Sequence, residues 1–315
     1  MSSHIDIIDV DDLDKAITRI ARKLQAEVRS IGEKIRSRLP VRRICGGFQP
    51  KTVHAVDSAF PSQPLQLVGL SLSIVAATLL RIDGQGVSHI LRRRIITSYF
   101  SELEQDYVTM LARTEERKLI LSLEALGDIV LIDGEIIPYR APSNEWNSVL
   151  NLSRELLNRS MSERAPVVGV IKRSYSNELG QSLGISMNDK ALATIILRRG
   201  EYVVLEPRFK LLKEYGCKLV FYKPSRGLNE AVKIELCGVQ DDDEICKIIG
   251  FLSVNAGHTG LPWQIDMVDS LSKSAINIID AIRNRLIAKL AVVDAAALSV
   301  GYPTNPQERR IKEGA

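Results

Sequence analysis

Aromatic side chains are scarce in this chain, at 5% of 315 residues with only two tryptophans, so stacking on rings is not expected to dominate any ligand contact. Cysteine is rarer still. Cys45, Cys217, Cys237 and Cys246 are scattered without a C-x-x-C pair, which argues against a zinc knuckle and a disulfide framework and suits a reducing cytoplasm. No G-x-x-x-x-G-K-[ST] loop occurs, so the chain has no phosphate-binding loop of its own for driving translocation. Charge of one sign is not in excess: 42 Lys and Arg face 38 Asp and Glu, a net +4 that is far from histone-like and permits nucleic acid without demanding it. The start, MSSHIDIIDVDD, lacks a basic-then-apolar leader pattern, and the uncharged apolar run from Leu67 to Leu80 is too short to span a bilayer, so no membrane segment is expected. Repeats, low-complexity tracts and an evident linker are absent too. What remains, 45% hydrophobic and 25% charged, is the balance of a soluble globular protein.

The basic residues present are clustered. Arg92-Arg93-Arg94, Lys172-Arg173, Arg198-Arg199 and the first forty residues form patches of the kind that face phosphates or, more blandly, solvent. From Leu13 to Leu39, Ile17, Ile20, Leu24, Val28, Ile31 and Ile35 recur every three or four residues, predicting one long helix with an apolar stripe and a basic side, fit for an oligomer or partner contact.

Thr52-Val-His-Ala-Val-Asp57 then predicts a buried strand that ends in a carboxylate. Residues 66–76 alternate as a strand, and 86–100 form another around the arginine triplet. A helix is expected over about 101–126, followed by the apolar strand Asp128-Ile-Val-Leu-Ile-Asp133 closed by Gly134-Glu135. Further along, 144–164 reads as helix, 167–172 as strand, 179–197 as helix, 202–239 as β-rich and 266–296 as helix. The expected segmentation is an N-terminal helical region at 1–48, one α/β domain at 49–300 and a tail at 301–315.

Two strands that each end in an aspartate, Asp57 and Asp133, carry the chemistry. Either alone is an ordinary turn former. Held together they repel unless a cation sits between them, and hard oxygen donors suit magnesium or manganese better than zinc. Two such ions about 4 Å apart would activate a water and steady the leaving oxygen of a phosphodiester. The order of three strands, helix and strand is that of a ribonuclease-H-like mixed sheet flanked by helices. That arrangement has acids on its first and fourth strands and a glutamate on the helix between. Glu115 and Glu116 both offer themselves there, about 100° apart around the helix. Glu115 is favoured because Leu119 follows it by four residues. His54, three residues before Asp57, should point to the opposite face and is read as core or surface.

Several segments resemble the NurA nuclease family. Ala-Val-Asp57-Ser is similar to its Val-Asp-Gly-Ser, Val-Leu-Ile-Asp133-Gly-Glu to its Leu-Asp-Gly-Ser-Leu, and Gly169-Val-Ile-Lys172-Arg173-Ser to a strand ending in Val-Lys. Gly260-Leu-Pro262-Trp-Gln-Ile-Asp266-Met-Val-Asp269 resembles the family's Gly-Tyr-Pro-Tyr-Pro-Leu segment. Ser58 stands where the family has glycine, and Asp269 where many members have histidine.

The resemblance implies metal ligation by Asp57, Asp133, Asp269 and one of the two glutamates. It also implies phosphate contacts from Lys172 and Arg173, with Tyr222 near the active site, able to stack on a base. Arg92 and Arg93 are read as further DNA contacts. Activity is expected to be 5′-3′ exonuclease and single-strand endonuclease with two manganese or magnesium ions. The chain is expected to act as a homodimer on a hexameric HerA-type ATPase, resecting single- and double-stranded DNA ends in recombinational repair. A catalytically silent scaffold of the same fold and another ribonuclease-H-like enzyme, such as a junction resolvase, are the alternatives.

Overall fold

A computed structural model describes residues 13–67, 69–99, 101–138, 143–172 and 176–293. Two compact units emerge. One gathers the residues up to Gln49 with Val168–Trp263, and the other Pro50–Val167 with the residues from Gln264 onward.

The second unit carries the strand order anticipated above. Strand β2 (Val53–Ala59) pairs antiparallel with β4 (Leu70–Asp83), which pairs antiparallel with β5 (Gly86–Tyr99), while β6 (Ile129–Asp133) lies parallel to β2. Short β3 (Leu65–Leu67) borders β4. This mixed sheet is flanked by α2 (Gln105–Leu121) and α3 (Asn144–Glu163), with α8 (Trp263–Ile276) and α9 (Ile279–Val293) toward the end of the chain. It is the ribonuclease-H-like arrangement expected from the sequence.

Three details differ. β4 is buried continuously from Leu70 to Leu80, so the alternation expected at 66–76 gives way to a strand covered on both faces. Asp57 lies inside β2 rather than at its end, because pairing with β4 continues to Ala59. The parallel pairing with β6 does stop at Val56, which leaves that side of the strand open at the carboxylate. The long helix expected at 266–296 is two helices, interrupted after Ile276.

The first unit contains α1 (Leu13–Arg36), the short β1 (Arg42–Arg43) and strands in the order β1-β8-β9-β10-β7. These are β8 (Glu201–Leu205), β9 (Lys218–Lys223), β10 (Val232–Cys237) and β7 (Val167–Ile171). The C-terminal part of α1 is anchored: Ile35 joins the core of Leu192, Ile196 and Phe221, and Arg36 forms a two-pronged ion pair with Glu201. Its earlier stripe residues Ile17, Ile20 and Leu24 stay exposed.

The helix expected over 179–197 divides into α4 (Glu178–Leu183) and α5 (Asp189–Ile196). Gly184 at φ 73° ends the first, and Asn188 caps the second by accepting from the amides of Lys190 and Ala191. α6 (Lys210–Glu214) precedes β9. α7 (Asp242–Val254) is a further helix beyond those expected, although Asp241 is its N-cap and Glu244 stands three residues on.

The cysteines correct the expectation of no disulfides: Cys45 bonds Cys246 and Cys217 bonds Cys237. The register of β9 with β10, Lys218 against Leu236, brings the second pair face to face. A partner 201 residues away leaves no spacing signature. No helix among the described residues is long and apolar enough to cross a membrane.

Candidate metal centre

Three carboxylates converge in the second unit. Asp57 on β2, Asp133 at the end of β6 and Asp269 on α8 each present an oxygen, all within 4.8 Å of one another. The parallel β2–β6 pairing brings the first two alongside each other. The third is set by α8, whose Ser272, three residues past Asp269 and therefore on the same helix face, donates from its hydroxyl to the backbone oxygen of Asp57 at 3.1 Å. Lys273 reaches Asp269 from the solvent side at 2.7 Å. Across β4, Thr78 stands directly opposite Asp57 and so shares its face, and its buried hydroxyl has no hydrogen-bond partner.

The electrostatics match a site built for a cation. Burial pushes the Asp57 carboxyl up to about 8, and repulsion from Asp133 and Glu116 adds to this against the pull of Arg113. Acids that stay crowded at this cost, with hard oxygen donors and no sulfur or imidazole among them, fit magnesium or manganese.

The same shift predicts a pH dependence for the metal-free protein. Between about pH 4 and pH 8 folded Asp57 holds a proton that the unfolded chain has released, so stability falls as pH rises through that window. Melting curves in EDTA at pH 5 and pH 8 should show a lower Tm at pH 8, and Asp57→Asn should flatten the difference. A slope unchanged by that substitution would contradict the assignment.

The helix glutamates separate cleanly. Glu115 turns toward β5 and Lys118, pairing with Arg94 and Lys118 at 3.3 Å each. Glu116 is wholly buried and reaches the cluster by its charge: it accepts from the hydroxyl of Ser58, the residue after Asp57, from Arg113 and from Arg117, and its charge acts on Asp57. The preference for Glu115 is therefore corrected by its placement. A signal for Glu116 was present, since Val108, Ala112, Glu116 and Ile120 form one buried i, i+4 stripe.

Other candidates divide in the same way. The register sets Arg93 opposite Ala76, itself opposite Ala59, so exposed Arg93 lies on the sheet face of Asp57. Arg92 points to the other face, where it donates to Ser122, the C-cap of α2. Tyr222 cannot stack on a base: its ring is fully buried in β9, its hydroxyl has no hydrogen-bond partner, and burial raises its pKa. That expectation is overturned. Lys172 follows β7 in the first unit, half-buried, with its backbone oxygen accepting from Lys190. Arg173 lies outside the described residues. His54 is core, bonded through Nδ1 to the Leu126 carbonyl.

A NurA domain model matches residues 51–274. The chain belongs to the NurA family. Solved NurA structures share the fold. The NurA nuclease from Sulfolobus solfataricus is 14% identical over 90% of this chain and 98% of its own, with a TM-score of 0.63. A NurA structure with manganese is 13% identical over 92% of this chain and all of its own, with a TM-score of 0.57. No curated protein matches the sequence.

Proposed function

We propose that this NurA-family chain is a divalent-metal-dependent deoxyribonuclease acting on DNA ends. The observation that carries this reading is the convergence of Asp57, Asp133 and Asp269, with one oxygen of each within 4.8 Å of the others, at a ribonuclease-H-like sheet. The manganese in a solved NurA structure supports manganese, with magnesium as the alternative. Bound there, the ion would supply charge stabilisation to the phosphoryl group and a water of lowered pKa.

The chain's own residues do the rest. The three aspartates would hold the ion, and Ser272 fixes the strand that bears Asp57. Glu116 is the fourth acid and completes the negative field, while Arg93, on the same sheet face, attracts the nucleic-acid backbone. A phosphate contact from Lys172 rests on family membership alone.

The same membership supports the finer reading: 5′-3′ exonuclease and single-strand endonuclease activity during double-strand-break resection in the cytoplasm, as a homodimer with a HerA-type ATPase. The exposed apolar residues Ile17, Ile20 and Leu24 of α1 support a protein contact by that helix.

The deciding experiment incubates the protein, with and without a HerA-type ATPase, in manganese or EDTA with labelled linear duplex, single-stranded circle, RNA and a four-way junction. Manganese-dependent loss of 5′ ends and nicking of the circle are expected. Preferential junction or RNA cleavage would favour another ribonuclease-H-like activity. No cleavage in any mixture would favour a scaffold.

A further inference from the structure

The acid cluster already contains a cation. Arg113 directs Nη1 to both oxygens of Glu116, at 3.0 and 3.2 Å, and to the backbone oxygen of Asp133 at 2.7 Å. Space for the guanidinium is kept by Gly134, where an added Cβ would lie 2.8 Å from Nη2 and 3.0 Å from Nη1. That glycine also adopts φ 115°, so both the turn after Asp133 and the seating of Arg113 require it.

Glu116 is saturated in this arrangement. A carboxylate offers about four acceptor sites, and Glu116 already receives Ser58, the bridging Nη1 of Arg113 and, at 2.9 Å, Arg117. Arg117 is itself wholly buried and tied to the carbonyls of Glu135 and Ile136, so it cannot swing away. A second ion would need Glu116 freed from two guanidinium groups, and arginine does not shed its charge by losing a proton.

We propose that Arg113 is the resident cation of this centre, standing in for the second metal ion, so that the chain takes one divalent ion at Asp57, Asp133 and Asp269. This inference rests on the metal-dependent reading above and departs from the two-ion expectation. Arg113 acts as a positioning residue: it fixes Glu116 and the end of β6, and it offsets repulsion among acids that it does not itself bond.

Two measurements test it. Manganese binding to the unmodified protein, followed by calorimetry, should give one ion per chain; two ions per chain would overturn the proposal. In EDTA at pH 9, where Asp57 carries its charge, a thermal-unfolding cycle compares Arg113→Met, Asp57→Asn and the double variant. Arg113 makes no hydrogen bond to the Asp57 carboxylate, so coupling between them reports charge rather than a broken contact.

Asp57→Asn should raise Tm by at least about 2 °C more in the Arg113→Met background than in the unmodified protein. Equal increments would mean that Arg113 only packs, and would overturn the proposal. Arg113→Lys, which keeps the charge, should preserve the one-ion count and recover most of the Tm that Arg113→Met loses. Failure of Lys to recover it would likewise count against a cation role. A protein that binds no manganese would sink the metal reading, and the EDTA cycle would still decide the role of Arg113.

Discussion

Asp57→Asn is expected to abolish manganese-dependent cleavage of linear duplex DNA, by roughly 10³-fold or more, while leaving a protein that melts higher in EDTA than the unmodified one. The two effects have one cause. Asp57 is 5% exposed and crowded by Asp133 and Glu116, so in the metal-free state below about pH 8 folding forces it to take up a proton, and that uptake destabilises the protein. The amide keeps the shape and needs no proton, and a gain of roughly 2–4 °C corresponds to relief on the order of 2 kcal/mol in a protein of this size. A structural aspartate would show the opposite, with lower Tm and activity retained. Single-turnover cleavage and differential scanning calorimetry on the same preparation separate the cases.

Glu116→Gln and Glu115→Gln, neighbours in sequence, should differ by about two orders of magnitude in cleavage rate. Glu116 is within electrostatic reach of Asp57 and is held by two arginines, so the amide loses field at the centre and leaves Arg113 and Arg117 with less negative charge to meet. Glu115 pairs with Arg94 and Lys118, whose side chains are 58% and 45% exposed. Pairs with such solvated partners contribute about 0–1 kcal/mol, and cleavage by Glu115→Gln should stay within about threefold of the unmodified protein. Equal losses in the two variants would mean that the helix acid acts through folding rather than through the site.

Much of the sheet was legible because burial imposes periodicity. The apolar segments ending near Asp57 and Asp133 marked the parallel pair β2 and β6, and their order with the helix between them fixed the architecture. Asp269 was reachable only through family resemblance, since no local pattern announces a helix acid that meets two strands through the fold. Glu115 and Glu116 are not separated by the single leucine four residues past Glu115; the full stripe through Val108, Ala112 and Ile120 is what marks Glu116.

Tyr222 was misjudged because a strand aromatic reads the same whether its ring is covered or open, and here it is covered completely. The cysteine pairs were invisible for a different reason. Cys217 and Cys237 meet only through the register of β9 on β10, and Cys45 and Cys246 only through the tertiary fold. Arg113 carried no signal at all, because an arginine on a surface-length helix is ordinarily solvated. Only Gly134 and the Asp133 carbonyl reveal where it is seated.

The most direct measurement is anomalous diffraction at the manganese edge from crystals soaked in manganese. The account predicts one anomalous peak per chain in contact with the carboxylates of Asp57, Asp133 and Asp269. A cluster without a peak while manganese binds elsewhere on the chain would contradict it.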